Sequence, residues 1–178
     1  MDAFAAGELT ITPLGTASMV GEGQYNLPIT SITIGNGLKI VGGESRGSAL
    51  QLTRKAKGAG IVGVTIANFS LNFNTNQVLA DTTPSGGTTM KQAPVYNFKV
   101  ASPLAIKYKF PLSITAHEVL DSLTLTPEMN ATMKSALKLS VGLAAALDSI
   151  TSFGTITEDV KVAFRSKPVS TTPYVPAP

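Results

Sequence analysis

A serine–histidine–acid relay in this chain has one available base, His117, with Glu118 beside it and Asp121 four residues on. Such a relay needs its acid to hydrogen-bond the imidazole and set the tautomer. Successive side chains on a strand point to opposite faces, so in an extended segment Glu118 cannot orient His117. His117 is therefore expected to be a surface or strand-end residue without a catalytic role.

Metal chemistry finds equally little. With no Cys and one His, the chain lacks the nitrogen and sulfur ligands of a zinc site. The acids Asp2, Glu8, Glu22, Glu44, Asp81, Glu118, Asp121, Glu128, Asp148, Glu158 and Asp159 never fall into the spacing of a calcium loop. Glu158-Asp159 is the one adjacent acidic pair and is expected to be a solvated strand start. A glycosidase-type pair of distant carboxylates leaves no sequence trace, and no signal favours one here. Gly35-Asn36-Gly37 precedes a strand and not a helix, so neither nucleotide fingerprint fits. The reading assigns no catalytic, cofactor-binding or metal-ligating residue and expects no cofactor.

Charge is sparse. Asp, Glu, Lys and Arg make up 14% of the residues, against about 25% in an average soluble protein. Thr, Ser, Asn and Gly fill the polar positions instead. The net charge is +3, aromatic residues are 6% and Trp is absent. The densest basic group, TRKAKG at 53–58, reads as a solvated, Gly-flanked connection. Specific nucleic-acid binding, which concentrates charge on one face and adds stacking aromatics, is not expected. No apolar run reaches the ~18–20 residues that span a bilayer, and no positively charged, then apolar, signal pattern precedes the first strand.

The elements that would position any site read mainly as strands. ELTIT at 8–12 alternates, and SITIGNGLKIVGG at 31–43 places Asn-Gly between alternating runs, the strongest short hairpin signal. SALQL at 48–52 follows. In IVGVTIANFSLNFN at 61–74 the apolar positions switch from even (Val62, Val64, Ile66) to odd (Phe69, Leu71, Phe73). A period-2 strand cannot change parity without an extra residue, so Ala67-Asn68 is expected to be a bulge, bend or break. That strand context also makes the Asn68-Phe69-Ser70 glycosylation pattern structural.

TTPSGGTTMKQAP at 82–94 reads as a long polar connection, before strands at VYNFKV (95–100), LAIKYKF (104–110), LSIT (112–115) and VLDSLTLT (119–126), the last with its own phase shift. In LAIKYKF the positions Leu104, Ile106, Tyr108 and Phe110 share a face. Thr126 as N-cap and Pro127 at the first helical position open a helix whose stripe runs through Met129, Met133, Leu137, Leu143 and Leu147. EDVKVAFRSK at 158–167 is the last strand, with Val160, Val162 and Phe164 inward. No 20–50-residue repeat is present.

The fold class is mainly β: an antiparallel β-sandwich or barrel-like domain with one helix near 127–149 and extended termini. Residues 1–167 form a single β-rich domain with an extended N-terminal segment, and 168–178 a Pro-rich arm. The arm carries Val169, Tyr174 and Val175 as apolar anchors, expected to dock in a groove of a neighbouring subunit before one of its own.

Faces of Thr, Ser and Asn can hydrogen-bond across an interface without the desolvation cost of burying ions. The expected function is therefore a non-enzymatic structural subunit that self-assembles as a homo-oligomer into a particle, tube or filament, located in a virion, a tail or an extracellular fibre. The alternative is a β-sandwich or barrel binding module for an apolar or carbohydrate-like ligand.

Overall fold

A computed structural model describes residues 9–36, 40–109, 113–162 and 170–177. Among these residues, ten strands and two short helices run in the order β1 (Thr10–Gly15), β2 (Ser18–Gly21), β3 (Gln24–Asn26), β4 (Ser31–Ile34), β5 (Ile40–Ala56), β6 (Gly60–Asn72), β7 (Gln77–Pro84), β8 (Met90–Lys109), β9 (Ser113–Leu125), α1 (Pro127–Ala136), α2 (Val141–Asp148) and β10 (Ile156–Val162). Eight strands form one antiparallel sheet in the order β1-β5-β6-β7-β8-β9-β10, with β4 pairing the first part of β5 beyond β1. β2 and β3 form a separate hairpin. The sheet curls into a half-barrel that brings β10 across from β4 and β5.

The curl follows from irregularities in the ladders. Register shifts fall between Ser45 and Ala49, between Ala67 and Ser70, and between Ala80 and Thr82, on neighbouring strands. Gly47 (φ 82), Asn68 (φ 53) and Gln92 (φ 48) adopt left-handed backbone there. An inserted residue bends its strand and raises the local twist. β6 is thus one strand with a bulge at the expected Ala67-Asn68, and Val64 and Ile66 before it share the core with Phe69 after it. Ser122 (φ 51) does the same in β9, which lets both Leu120 and Leu123 face inward.

The helices close one end of the curl. Met129, Met133, Leu137 and Leu147 pack on Leu52, Val64, Val95 and Leu120. Thr126 caps α1, its Oγ1 accepting from Met129 N at 3.2 Å and donating to Pro94 O at 2.6 Å. The single helix expected near 127–149 is in fact two. Lys138 turns to positive φ (47°) and Ser140 Oγ accepts from Leu143 N, starting a second helix. Arg54 explains the break: its Nη1 donates to Leu137 O and Lys138 O, both at 3.1 Å, placing a cation on the orphan carbonyls of the α1 C-terminus. The basic group at 53–58 is accordingly no loop, since β5 continues through Ala56. The 82–94 connection also shrinks to a turn between Pro84 and Met90, and the two strands expected at 95–110 are one.

β4 and β5 form the expected hairpin, but Ile34 pairs Ile40 after a register shift at Thr33, where a two-residue Asn36-Gly37 loop would pair Ile34 with Lys39. Leu38, the inward faces of Leu104, Ile106, Tyr108 and Phe110, the 163–167 end of the last strand, and Val169 lie outside the described residues.

Candidate functional site

Parity along β9 and β10 places two acids on the concave face. Leu120 faces the core, so Glu118, two residues earlier, does too. Ile156 pairs Leu120, and Glu158 pairs Glu118 in register. Residues directly opposite on one face have Cβ atoms about 4.5–5.5 Å apart, close enough for the two carboxyls to meet. Glu158 is consequently no solvated strand start. His117 and Asp159, of opposite parity, pair on the outer face at 2.8 Å, with His117 about half exposed. Glu118 does not orient His117, as strand geometry requires.

Both acids are raised above the usual carboxylate range. Burial, then the neighbouring Glu118 charge and the hydrogen bond to it, push Glu158 up to about 7. Burial also raises Glu118, opposed by the proton that Glu158 donates to it. A neighbouring like charge disfavours ionisation of both carboxyls, so the two titrate as a coupled pair. Glu118 is 4% exposed, and its Oε2 has no hydrogen-bond partner among the described residues.

Glu158 opens onto a cleft of about 660 Å³ between β10 and the β3–β4–β5 side of the half-barrel. Leu27, Ile29, Phe69, Leu71, Val78 and Ile156 supply its apolar wall. Gly43 sits opposite Glu158: a Cβ there would stand 3.6 Å from Glu158 Oε1. Glu44, also on the cleft, is held below its usual range by the Arg46 guanidinium and the Ser31 hydroxyl, which donate to it at 3.0 and 2.9 Å. Tyr96, half-buried and packed on Phe153, is pushed up to about 12 by burial.

The arm lies elsewhere. Asn68, buried in the β6 bulge, accepts at Oδ1 from Tyr174 N (2.7 Å) and Gly47 N (3.1 Å). Its Nδ2 donates to Tyr174 O and Asp81 Oδ2, both at 2.9 Å. The amide thus pairs with Tyr174 as a neighbouring strand would. Asp81 in turn accepts from Gln92 N at 3.0 Å, and Gln92 Nε2 donates to Asn68 O at 2.9 Å. Tyr174 of the arm thus meets its own β6, where the bulge turns one amide out of the ladder. Val175 is exposed.

Among the described residues no group of three or more His, Cys, Asp or Glu is placed to hold a metal ion, and no helix is long and apolar enough to cross a membrane. Glu118 and Glu158 do not stand out as a pair in the sequence. The signal was available: the parity that turns Val160 inward turns Glu158 inward.

Neither a protein-family model nor a curated protein matches the chain. Among solved structures, the chain is similar to the C-terminal domain of HtaA from Corynebacterium glutamicum, crystallised as a domain-swapped dimer of a single-residue variant. The TM-score is 0.50 at 14% identity, over 87% of this chain and 84% of that one. The likeness is one of fold.

Proposed function

We propose that this chain is a non-enzymatic binding module that holds a small ligand with an apolar body in the open interior of its half-barrel. The observation that carries the reading is the cleft itself: apolar side chains around a few inward polar groups, as in small-molecule sites generally. Barrels of about eight strands have interiors able to take one small ligand. The test is titration of 1-octanol into the protein, followed by amide NMR. Shifts should cluster at residues 43–45, 69–71 and 156–160. Gly43→Val, whose added methyls point at Glu158, should weaken binding at least about tenfold. No binding, or equal binding by the variant, overturns the reading.

A second reading, a self-assembling structural subunit, is favoured by a different observation. β4 and β10 each pair on one side only among the described residues, and Met19, Val20 and Val141 are 55, 65 and 90% exposed. Open strand edges and exposed apolar side chains are what copies of a chain use to associate. Sedimentation and negative-stain microscopy separate the two: a monomer or small oligomer fits the binding module, and particles or fibres fit the subunit.

A further inference from the structure

A buried carboxylate oxygen without a donor is a costly feature, and native proteins nearly always satisfy such groups. Glu118 Oε2 is such an atom. It lies on the concave face, one strand in from Glu158, which opens on the cleft. Glu118 itself does not line the cleft; a donor reaching past Glu158 from the cleft would satisfy it.

We infer that the ligand carries a cationic nitrogen, a primary ammonium or a guanidinium, whose N–H groups bind Glu118 and Glu158 together while its apolar body lies along Leu71, Val78 and Ile156. This rests on the cleft being a ligand site. An ammonium brings three donors and no acceptor, which suits two carboxyls and one empty lone pair. A hydroxyl brings one donor, and a carboxylate ligand would add a third negative group. A divalent metal needs more ligands: calcium takes six to eight oxygens, and no third acid joins the pair among the described residues.

Glu44 is engaged by Arg46 and Ser31. Asp159 and Lys161 alternate to the other side of β10 from Glu158 but both still border the cleft, and Asp159 is paired to His117. When the ammonium enters, the proton held between the two carboxyls passes to solvent and the ligand takes its place. Binding is therefore accompanied by proton release near neutral pH.

The test is isothermal titration of octylamine, 1-octanol and octanoate into the whole chain at pH 7, in two buffers of different ionisation enthalpy. Octylamine should bind at least about tenfold more tightly than octanol, with octanoate weakest. The amine heat should depend on the buffer, and Glu158→Gln should remove both the preference and the dependence. Equal binding of amine and alcohol overturns the inference and leaves the apolar cleft standing. Failure of all three to bind overturns both. The wild-type comparison does not depend on how the variant folds, and Glu118→Gln gives an independent second removal of charge.

Discussion

Two of the polar side chains buried in this sheet, Asn68 and Glu118, differ in completeness. On the outer side of the bend, Asn68 uses all four hydrogen-bonding positions of its amide, on Tyr174, Gly47 and Asp81. On the concave side, Glu118 stands across from Glu158 and leaves Oε2 unsatisfied among the described residues. The first cluster is closed: it tolerates a bulge, fixes the bend and anchors the arm. The second is open at a cleft, and its deficit is one that a ligand can remedy. A satisfied buried network rigidifies a fold, whereas an unsatisfied one calls for an explanation outside it.

Breaking the closed cluster should have the largest effect. Asn68→Ala removes four side-chain bonds and puts Ala at φ 53. It should cost about 3 kcal/mol in chemical unfolding, with Tm lower by about 6–12 °C. A loss below about 1 kcal/mol would show that the amide is not what holds the bend.

The open cluster should appear in the pH dependence of stability. Glu158 is raised from 4.5 to about 7 on folding, so the folded state binds the proton more tightly. Its contribution is complete below about pH 4.5 and is lost as pH rises towards 7. Glu44 and Asp148 are lowered and act with the opposite sign, at the acid end. The difference between wild type and Glu158→Gln isolates the pair. The two should be nearly equal at pH 4.5, and the wild type less stable by on the order of 2 kcal/mol above pH 7, part of the shift being lost to solvent screening. A difference that does not vary with pH would remove the coupling.

Smaller effects sharpen the contrast. Deleting residues 170–178 takes Tyr174 from Asn68 and should lower stability by about 1–2 kcal/mol while the far-ultraviolet spectrum stays β-like. An unfolded product would make the arm part of the core. His117→Ala removes an exposed pair and should change stability by less than about 0.5 kcal/mol. It should also leave octanol affinity within twofold; a larger change would place the outer face in communication with the cleft.

Much of this architecture is legible in residue order. Alternation marks the strands, Thr126-Pro127 starts the helix, and the parity switch at Ala67-Asn68 locates the bulge on which the bend turns. The helix break is not legible, because it is made by Arg54, 83 residues before Leu137 in sequence. Nor is the arm's socket, since Asn68 and Tyr174 meet across 106 residues. For the carboxyl pair, parity predicts that Glu158 faces inward, but its meeting with Glu118 depends on the register of β9 against β10. That register is set by the pairing of two strands separated in sequence by the helices, and no local pattern encodes it. Sequence therefore supplies the faces, and topology decides which residues share one.

The proposals for the cleft turn on whether Glu118 and Glu158 form a proton-sharing pair that receives a cationic ligand. Carbon-13 NMR of the two side-chain carboxyls from pH 4 to 9, with and without octylamine, tests it most directly. In the free protein one of the pair should titrate near 7, as the burial of Glu158 and its contact with Glu118 require. With octylamine bound, that titration should move at least one pH unit lower, because the ammonium favours both ionised carboxyls. Two carboxyls that titrate in the usual range near 4.5, unmoved by the amine, would contradict the account.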